Sequence, residues 1–153
     1  MKRKATRQDE EAHTLIKYLK NNGIGYEPLK AFWPPQDDPR DVSYDGIDYQ
    51  ITYGSQKDLA NRRKITSSGK IFLSISGQPT DYAKIYAGIP LGKKKNQADK
   101  KITLLIDCPT PGFYDPEMIE RKKIFKLFVN SNEYLIKIWQ NVFLVYNDGN
   151  ITL

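Results

Sequence analysis

The spacing of apolar residues predicts a helix near the start of the chain. Residues 8–21, QDEEAHTLIKYLKN, carry apolar side chains three or four positions apart, with acids early and lysines late as a helix dipole favours. The apolar stripe consists of Ala12, Leu15, Ile16 and Leu19. Asn22 and Gly23 follow, and this pair is typical of a helix end. The pattern therefore predicts one amphipathic helix.

The second half of the chain predicts a buried strand, a helix and a closing strand. Residues 102–107, ITLLID, are apolar on both faces, as expected of a central strand covered from two sides. Residues 116–129, PEMIERKKIFKLFV, predict a helix with Pro116 at its first position and its basic side chains in water. Those basic side chains are Arg121, Lys122, Lys123 and Lys126. Residues 141–147 predict a strand, and the lysine-rich residues 92–101 predict a loop.

Residues 41–50, DVSYDGIDYQ, predict a tight hairpin. Asp45-Gly46 favours a two-residue type I′ turn, which needs positive φ at both central positions. That turn sets Asp41 opposite Gln50, and strand alternation then places Asp41, Asp48 and Gln50 on one face. Carboxylates this close repel each other unless a cation lies between them, and Mg²⁺ is held by one or two carboxylates plus waters. The alternative is an ordinary solvent-facing side of an antiparallel hairpin.

The coarse order of helix, hairpin, mixed segment, buried strand, helix and strand predicts an α/β (α+β) fold on a small mixed sheet. At 153 residues, with 39% apolar residues, the chain is expected to form a single domain over residues 1–153, with residues 1–7 as a disordered basic tail. The charged start and the lack of a long apolar run predict a cytoplasmic protein without membrane contact. One cysteine excludes a zinc ribbon.

The net charge of +6 favours a polyanionic partner, because lysine and arginine contacts to phosphates release counterions. Basic runs at NRRK, GKKKNQADKK and ERKK could bind a nucleic-acid backbone without reading its sequence. The candidate nucleic-acid-binding residues are Lys57, Arg62, Arg63, Lys64, Lys93, Lys94 and Lys95. We therefore expect nucleic acid as the partner, with DNA favoured and RNA left open.

The hairpin residues resemble the PD-(D/E)-x-K (restriction-endonuclease-like) nuclease superfamily, whose core order is αβββαβ. Its signature is an acid at the start of one strand, a short turn, then an acid and a lysine two positions apart on the next strand. Asp41, Asp48 and Gln50 match in that order, with glutamine where the family has lysine and Arg40 where it has proline. Many members add a glutamate from the first helix, and Glu11 matches it on the packed side of the predicted helix.

The resemblance implies a nuclease that hydrolyses phosphodiester bonds with Mg²⁺ or Mn²⁺ as cofactor. Asp41, Asp48 and Glu11 would be the metal ligands, and Gln50 would orient the attacking water. The family lysine adds positive charge, which glutamine cannot supply. Four residues of the following segment could supply it instead: Lys57, Arg62, Arg63 or Lys64.

The alternative function is a catalytically inactive module of the nuclease fold that binds nucleic acid, with Gln50 as the mark of lost chemistry. The sequence also leaves open whether two copies form a homodimer. A partner protein that supplies the specificity is equally compatible with these residues.

Overall fold

The computed structural model describes residues 7–54, 82–108 and 116–153, which form a sheet with helices on both faces. The helices and strands, in chain order, are α1 (Arg7–Asn21), β1 (Ala31–Phe32), β2 (Val42–Tyr44), β3 (Ile47–Tyr53), α2 (Ile89–Lys94), β4 (Ile102–Asp107), α3 (Met118–Ile136), β5 (Asn141–Tyr146) and β6 (Gly149–Thr152). Short 3₁₀ turns lie at Pro28–Lys30 and Lys95–Gln97, and a π-helical turn at Lys84–Gly88 leads into α2. Within these ranges, none of the helices is both long and apolar enough to cross a bilayer.

The six strands lie side by side in chain order, from β1 to β6. Strands β3, β4 and β5 are parallel, whereas the pairs β1–β2, β2–β3 and β5–β6 are antiparallel. Every residue of β4 is buried, because helices cover both faces of this central strand. The predicted central strand and the mixed α/β class are confirmed.

Apolar clusters lie on opposite faces of the sheet. Helix α1 covers one face, where Leu15 and Tyr18 pack with Ile51 and Leu105. The segment from residue 82 to α2, together with α3, covers the other face, where Leu104 and its alternate neighbours on β4 and β5 are buried. The alternation of Leu104 and Leu105 between the two clusters follows from the two-residue period of a strand. The sheet is therefore the middle of three layers.

Helix α1 forms as predicted and extends one residue further at its start. Arg7, expected in a disordered tail, is its first residue, and residues 1–6 lie outside the described residues. The helix ends in a Schellman motif, in which Gly23 has a φ of 75° and donates its N–H to the carbonyl of Lys20. Ile16, assigned to the apolar stripe, is 40% exposed, and Tyr18 packs on the sheet in its place.

The hairpin also forms with its predicted turn. Asp45 and Gly46 have φ values of 50° and 82°, as a type I′ turn requires. Ser43 pairs with Asp48 in the register that this turn sets, and the pairing of β2 with β3 ends at Val42. Local turn chemistry thus fixes the alignment of β2 on β3.

The prediction that Arg121 faces water is wrong, because its side chain is 3% exposed. Its guanidinium stacks over the ring of Tyr146 at 4.3 Å, and Nη1 donates to Asp148 Oδ1 at 2.6 Å. An arginine can be buried on a helix when an aromatic face and a carboxylate both engage its planar charge.

Two further predictions, about where helices begin and end, are wrong. Helix α3 begins at Met118 after the extended residue Glu117, so Pro116 is not its first helical residue. Residues 92–101 begin as helix instead of loop, because Lys93 and Lys94 form the last turn of α2. A helix C-terminus favours cations, which explains why a lysine run can be helical here.

Candidate functional site

Glu11 and Asp41 come together where α1 passes the start of β2. Glu11 is 5% exposed on the packed face of α1, and the side chain of Asp41 is 10% exposed. Arg7, one helical turn before Glu11, donates from Nε to Glu11 Oε1 at 2.7 Å. Its Nη2 lies 3.7 Å from Asp41 Oδ1. A single guanidinium group therefore contacts both carboxylates.

The position of Asp41 is fixed by the end of the hairpin. Its backbone N–H donates to the carbonyl of Tyr49 at 2.8 Å, and its Oδ2 accepts the N–H of Ile51 at 2.7 Å. The Asp41 carboxylate thus accepts a backbone hydrogen bond from β3 at a position where β2 no longer pairs with β3. Asp41 was expected to stand opposite Gln50 in the ladder, but the pairing ends one residue earlier.

Burial is the main cause of the shifted pKa values of both carboxyl groups. The pKa of Glu11 is raised by burial first and by the negative charge of Asp41 second. The pKa of Asp41 is raised by burial, although the Ile51 N–H and the charges of Lys94 and Arg7 oppose the shift. Two buried carboxylates with raised pKa values carry incompletely compensated negative charge, which a bound cation would stabilise.

The end of α2 brings Lys94 to the carboxylate pair. The charges of Asp41 and Glu11 act on Lys94 and favour its protonated form, while burial lowers its pKa overall. Lys94 Nζ also donates to Gln97 Oε1 at 3.4 Å. The same oxygen accepts Gln50 Nε2 at 2.8 Å, so Gln97 joins β3 to the end of α2.

Gln50 contributes a buried oxygen to this region. Its side chain is 3% exposed, and none of the described residues donates a hydrogen bond to its Oε1. Leaving a buried polar atom unpaired costs about 1–3 kcal/mol, so the oxygen is available to a ligand that can pair with it. A water molecule or a cation would be such a ligand.

Asp48, the other predicted ligand, has different surroundings. Its Oδ1 accepts Arg40 Nη1 at 3.3 Å, and Arg40 also pairs with Asp38 at 3.1 Å. Arg7 therefore contacts both Glu11 and Asp41, whereas Asp48 pairs with a different arginine, Arg40. Of the predicted basic residues, Lys93 and Lys95 flank Lys94 on exposed positions, whereas Lys57, Arg62, Arg63 and Lys64 lie outside the described residues.

Arg7 and Gln97 contribute to the site although the sequence pattern did not indicate them. The signal for Arg7 was its spacing of four residues from Glu11 on one helix. Asp107 was also missed, although an acid at the end of an apolar central strand is a recognisable signal. Its carboxylate accepts hydrogen bonds from Thr14 and Lys17, so an adjacent cation already compensates it.

A cavity of about 300 Å³ opens beside the carboxylate pair. Glu11 and Asp41 line it together with Arg7 and Arg40, and Pro34 forms part of its wall. The same cavity is thus lined by carboxylates, which can bind a metal ion, and by guanidinium groups, which can bind a phosphate. Among the described residues no three His, Cys, Asp or Glu side chains cluster, so the described part of the chain offers an ion two carboxylates here, and other oxygens would complete its coordination. Mg²⁺ accepts such a ligand set.

The fold and the site define a mixed α/β protein with a buried carboxylate pair at one end of the β2–β3 hairpin. Comparison with protein-family models, with curated proteins and with solved structures found no match.

Proposed function

We propose that the protein is a cytoplasmic nuclease that hydrolyses phosphodiester bonds, DNA first among its substrates, with Mg²⁺ or Mn²⁺ as cofactor. The observation that carries the proposal is the buried Glu11–Asp41 pair, which shares one cavity with Arg7 and Arg40. Glu11 and Asp41 would hold the ion, and waters and phosphate oxygens would complete its coordination.

When bound, the ion would lower the pKa of a coordinated water and neutralise charge on the phosphate. Hydrolysis adds one water across one ester bond. The water oxygen bonds to phosphorus, the bond from phosphorus to the leaving oxygen breaks with its electron pair, and the leaving oxygen gains a proton. Gln50 Oε1, buried and without a donor among the described residues, can orient the attacking water by accepting its hydrogen bond. Arg40 can hold a phosphate oxygen at the cavity.

Substitution of the carboxylate pair tests the proposal. Asp41→Asn and Glu11→Gln keep the side-chain shapes but remove the charges, so each should lower the cleavage rate by about 100-fold or more. Asp37→Asn is the matched control, since Asp37 is exposed and lies in the same connecting segment. Cleavage of end-labelled DNA and RNA in Mg²⁺, Mn²⁺ or EDTA provides the measurement.

Asp48→Asn decides between the two possible acidic pairs. If Asp48→Asn is as inactive as Asp41→Asn, the pair predicted from the sequence is also required. If Asp48→Asn keeps wild-type cleavage, the metal site does not require Asp48. Cleavage that survives Asp41→Asn contradicts the proposed site. A wild-type protein that binds nucleic acid but cuts with no divalent ion is the inactive binding module.

A further inference from the structure

We propose that Lys94 supplies, from the end of α2, the positive charge that Gln50 lacks at the carboxylate pair. Its ammonium group would donate to a non-bridging oxygen of the phosphate under attack, and it would not act as one of the lysines that bind the backbone. This inference rests on the proposed function. It assigns to one residue of the lysine-rich segment a role that its neighbours do not share.

Charge interactions indicate that Lys94 lies near the carboxylate pair. The charges of Asp41 and Glu11 both act on its ammonium group, and so does the charge of Arg7. Such interactions require the groups to lie close together, because water screens exposed charges beyond about 8–10 Å. Lys94 therefore lies within electrostatic reach of the residues that would hold the metal.

A hydrogen-bonded link orients the lysine. Gln97 Oε1 accepts from Lys94 Nζ at 3.4 Å and from Gln50 Nε2 at 2.8 Å. One oxygen of Gln97 thus joins the lysine of α2 to the glutamine of β3. The link positions the charge close to the strand on which the nuclease family carries its lysine.

Burial distinguishes Lys94 from its neighbour. Lys94 is partly buried, whereas Lys95 is exposed and begins the 3₁₀ turn Lys95–Gln97. Burying an ammonium group is unfavourable unless opposite charge compensates it; burial lowers the pKa of Lys94, and the charges of Asp41 and Glu11 offset part of that shift. An exposed lysine suits contact with a flexible backbone, and a partly buried lysine suits a fixed point in a site.

The chemistry needs such a charge. Negative charge on the non-bridging oxygens must be stabilised as the water attacks, and a fixed donor at that position stabilises the transition state more than the ground state. Lys94 would remain protonated throughout and would transfer no atom. The bond changes are those of the hydrolysis described above.

The test separates catalysis from binding with Lys94→Ala, Lys94→Arg and the control Lys20→Ala, at an exposed lysine outside the basic runs. We expect Lys94→Ala to lower kcat by about 100-fold with KM changed by no more than about threefold. Lys94→Arg, which keeps the charge, should restore about tenfold or more of the lost kcat. Lys20→Ala should leave kcat unchanged, because it removes only an exposed charge in the last turn of α1.

Metal affinity provides a readout that does not depend on cleavage. Removing a positive charge near the carboxylates should strengthen Mn²⁺ binding severalfold in Lys94→Ala, measured by electron paramagnetic resonance of free Mn²⁺, and should not do so in Lys20→Ala. An active wild type with an equally active Lys94→Ala overturns this inference alone. So does a Lys94→Ala variant whose defect lies entirely in KM, or one with unchanged Mn²⁺ affinity. A wild type that cuts nothing overturns the proposed function and this inference with it.

Discussion

Arg7 occupies the position where a cation is most needed in the metal-free protein. Its guanidinium contacts two buried carboxylates, yet its own side chain is 58% exposed. The exposed guanidinium can return to water with little loss of solvation, whereas the buried carboxylates need another cation in its place. A divalent ion could therefore replace Arg7 at the pair at low cost. The released guanidinium would remain at the cavity, where it could bind a phosphate.

Glu11→Gln should make the metal-free protein more stable near neutral pH. The pKa of Glu11 is raised above its ordinary value of 4.5, so the protonated form favours folding. Its stabilising contribution is present below that value and is lost as the pH rises through the raised pKa. We expect the variant to unfold about 2–4 °C higher than wild type at about pH 7 in EDTA, which corresponds to roughly 1 kcal/mol.

The difference should become small at about pH 4, where the wild-type carboxyl is itself protonated, and in excess Mg²⁺. Glu10→Gln is the control, because Glu10 lies on the same turn but is exposed and should not respond. Thermal unfolding followed by circular dichroism measures both variants. A Glu11→Gln protein that is less stable than wild type under every condition would mean that Arg7 fully compensates the pair.

The secondary-structure elements differ in how far the sequence specifies them. The hairpin was predictable because Asp45-Gly46 determines its own turn and register. The central strand was predictable because both of its faces are apolar. The position of Lys94 beside Asp41 depends on packing between α2 and the sheet, and lysine spacing carries no signal for it. The burial of Arg121 likewise depends on Tyr146, a residue of another element.

Gly46→Ala tests the turn as a local element. Gly46 has a φ of 82°, and an added Cβ would meet no atom within 4 Å, so the cost would be conformational alone. We expect the substitution to lower the free energy of unfolding by about 1–2 kcal/mol, measured by urea denaturation. Gly25→Ala is the matched control, because its surroundings are equally open and its φ lies outside the left-handed region. An equal loss in both variants would show that the turn conformation is not the cause.

Among the described residues, two groups of lysines lie at separate positions along the sheet. Lys93–Lys95 lie at the end of α2, which approaches the carboxylate pair beside β2. Lys122 and Lys126 of α3 line a cavity with residues of β6, the strand at the far edge. Neighbouring strands are about 4.8 Å apart, so four steps separate β2 from β6 by roughly 19 Å. A nucleic acid seated at the carboxylate pair would therefore contact the α2 lysines first.

Lys95→Ala and Lys126→Ala compare those two groups of lysines directly, since each removes one exposed lysine from the same net charge of +6. If the backbone crosses the end of α2, Lys95→Ala should weaken duplex binding and reduce the slope of log K against log salt by about 0.9. Lys126→Ala should leave the slope unchanged. Fluorescence anisotropy over a salt series measures both. Equal slopes for the two variants would indicate binding by net charge alone, and a reduced slope only in Lys126→Ala would place the nucleic acid on α3, away from Glu11 and Asp41.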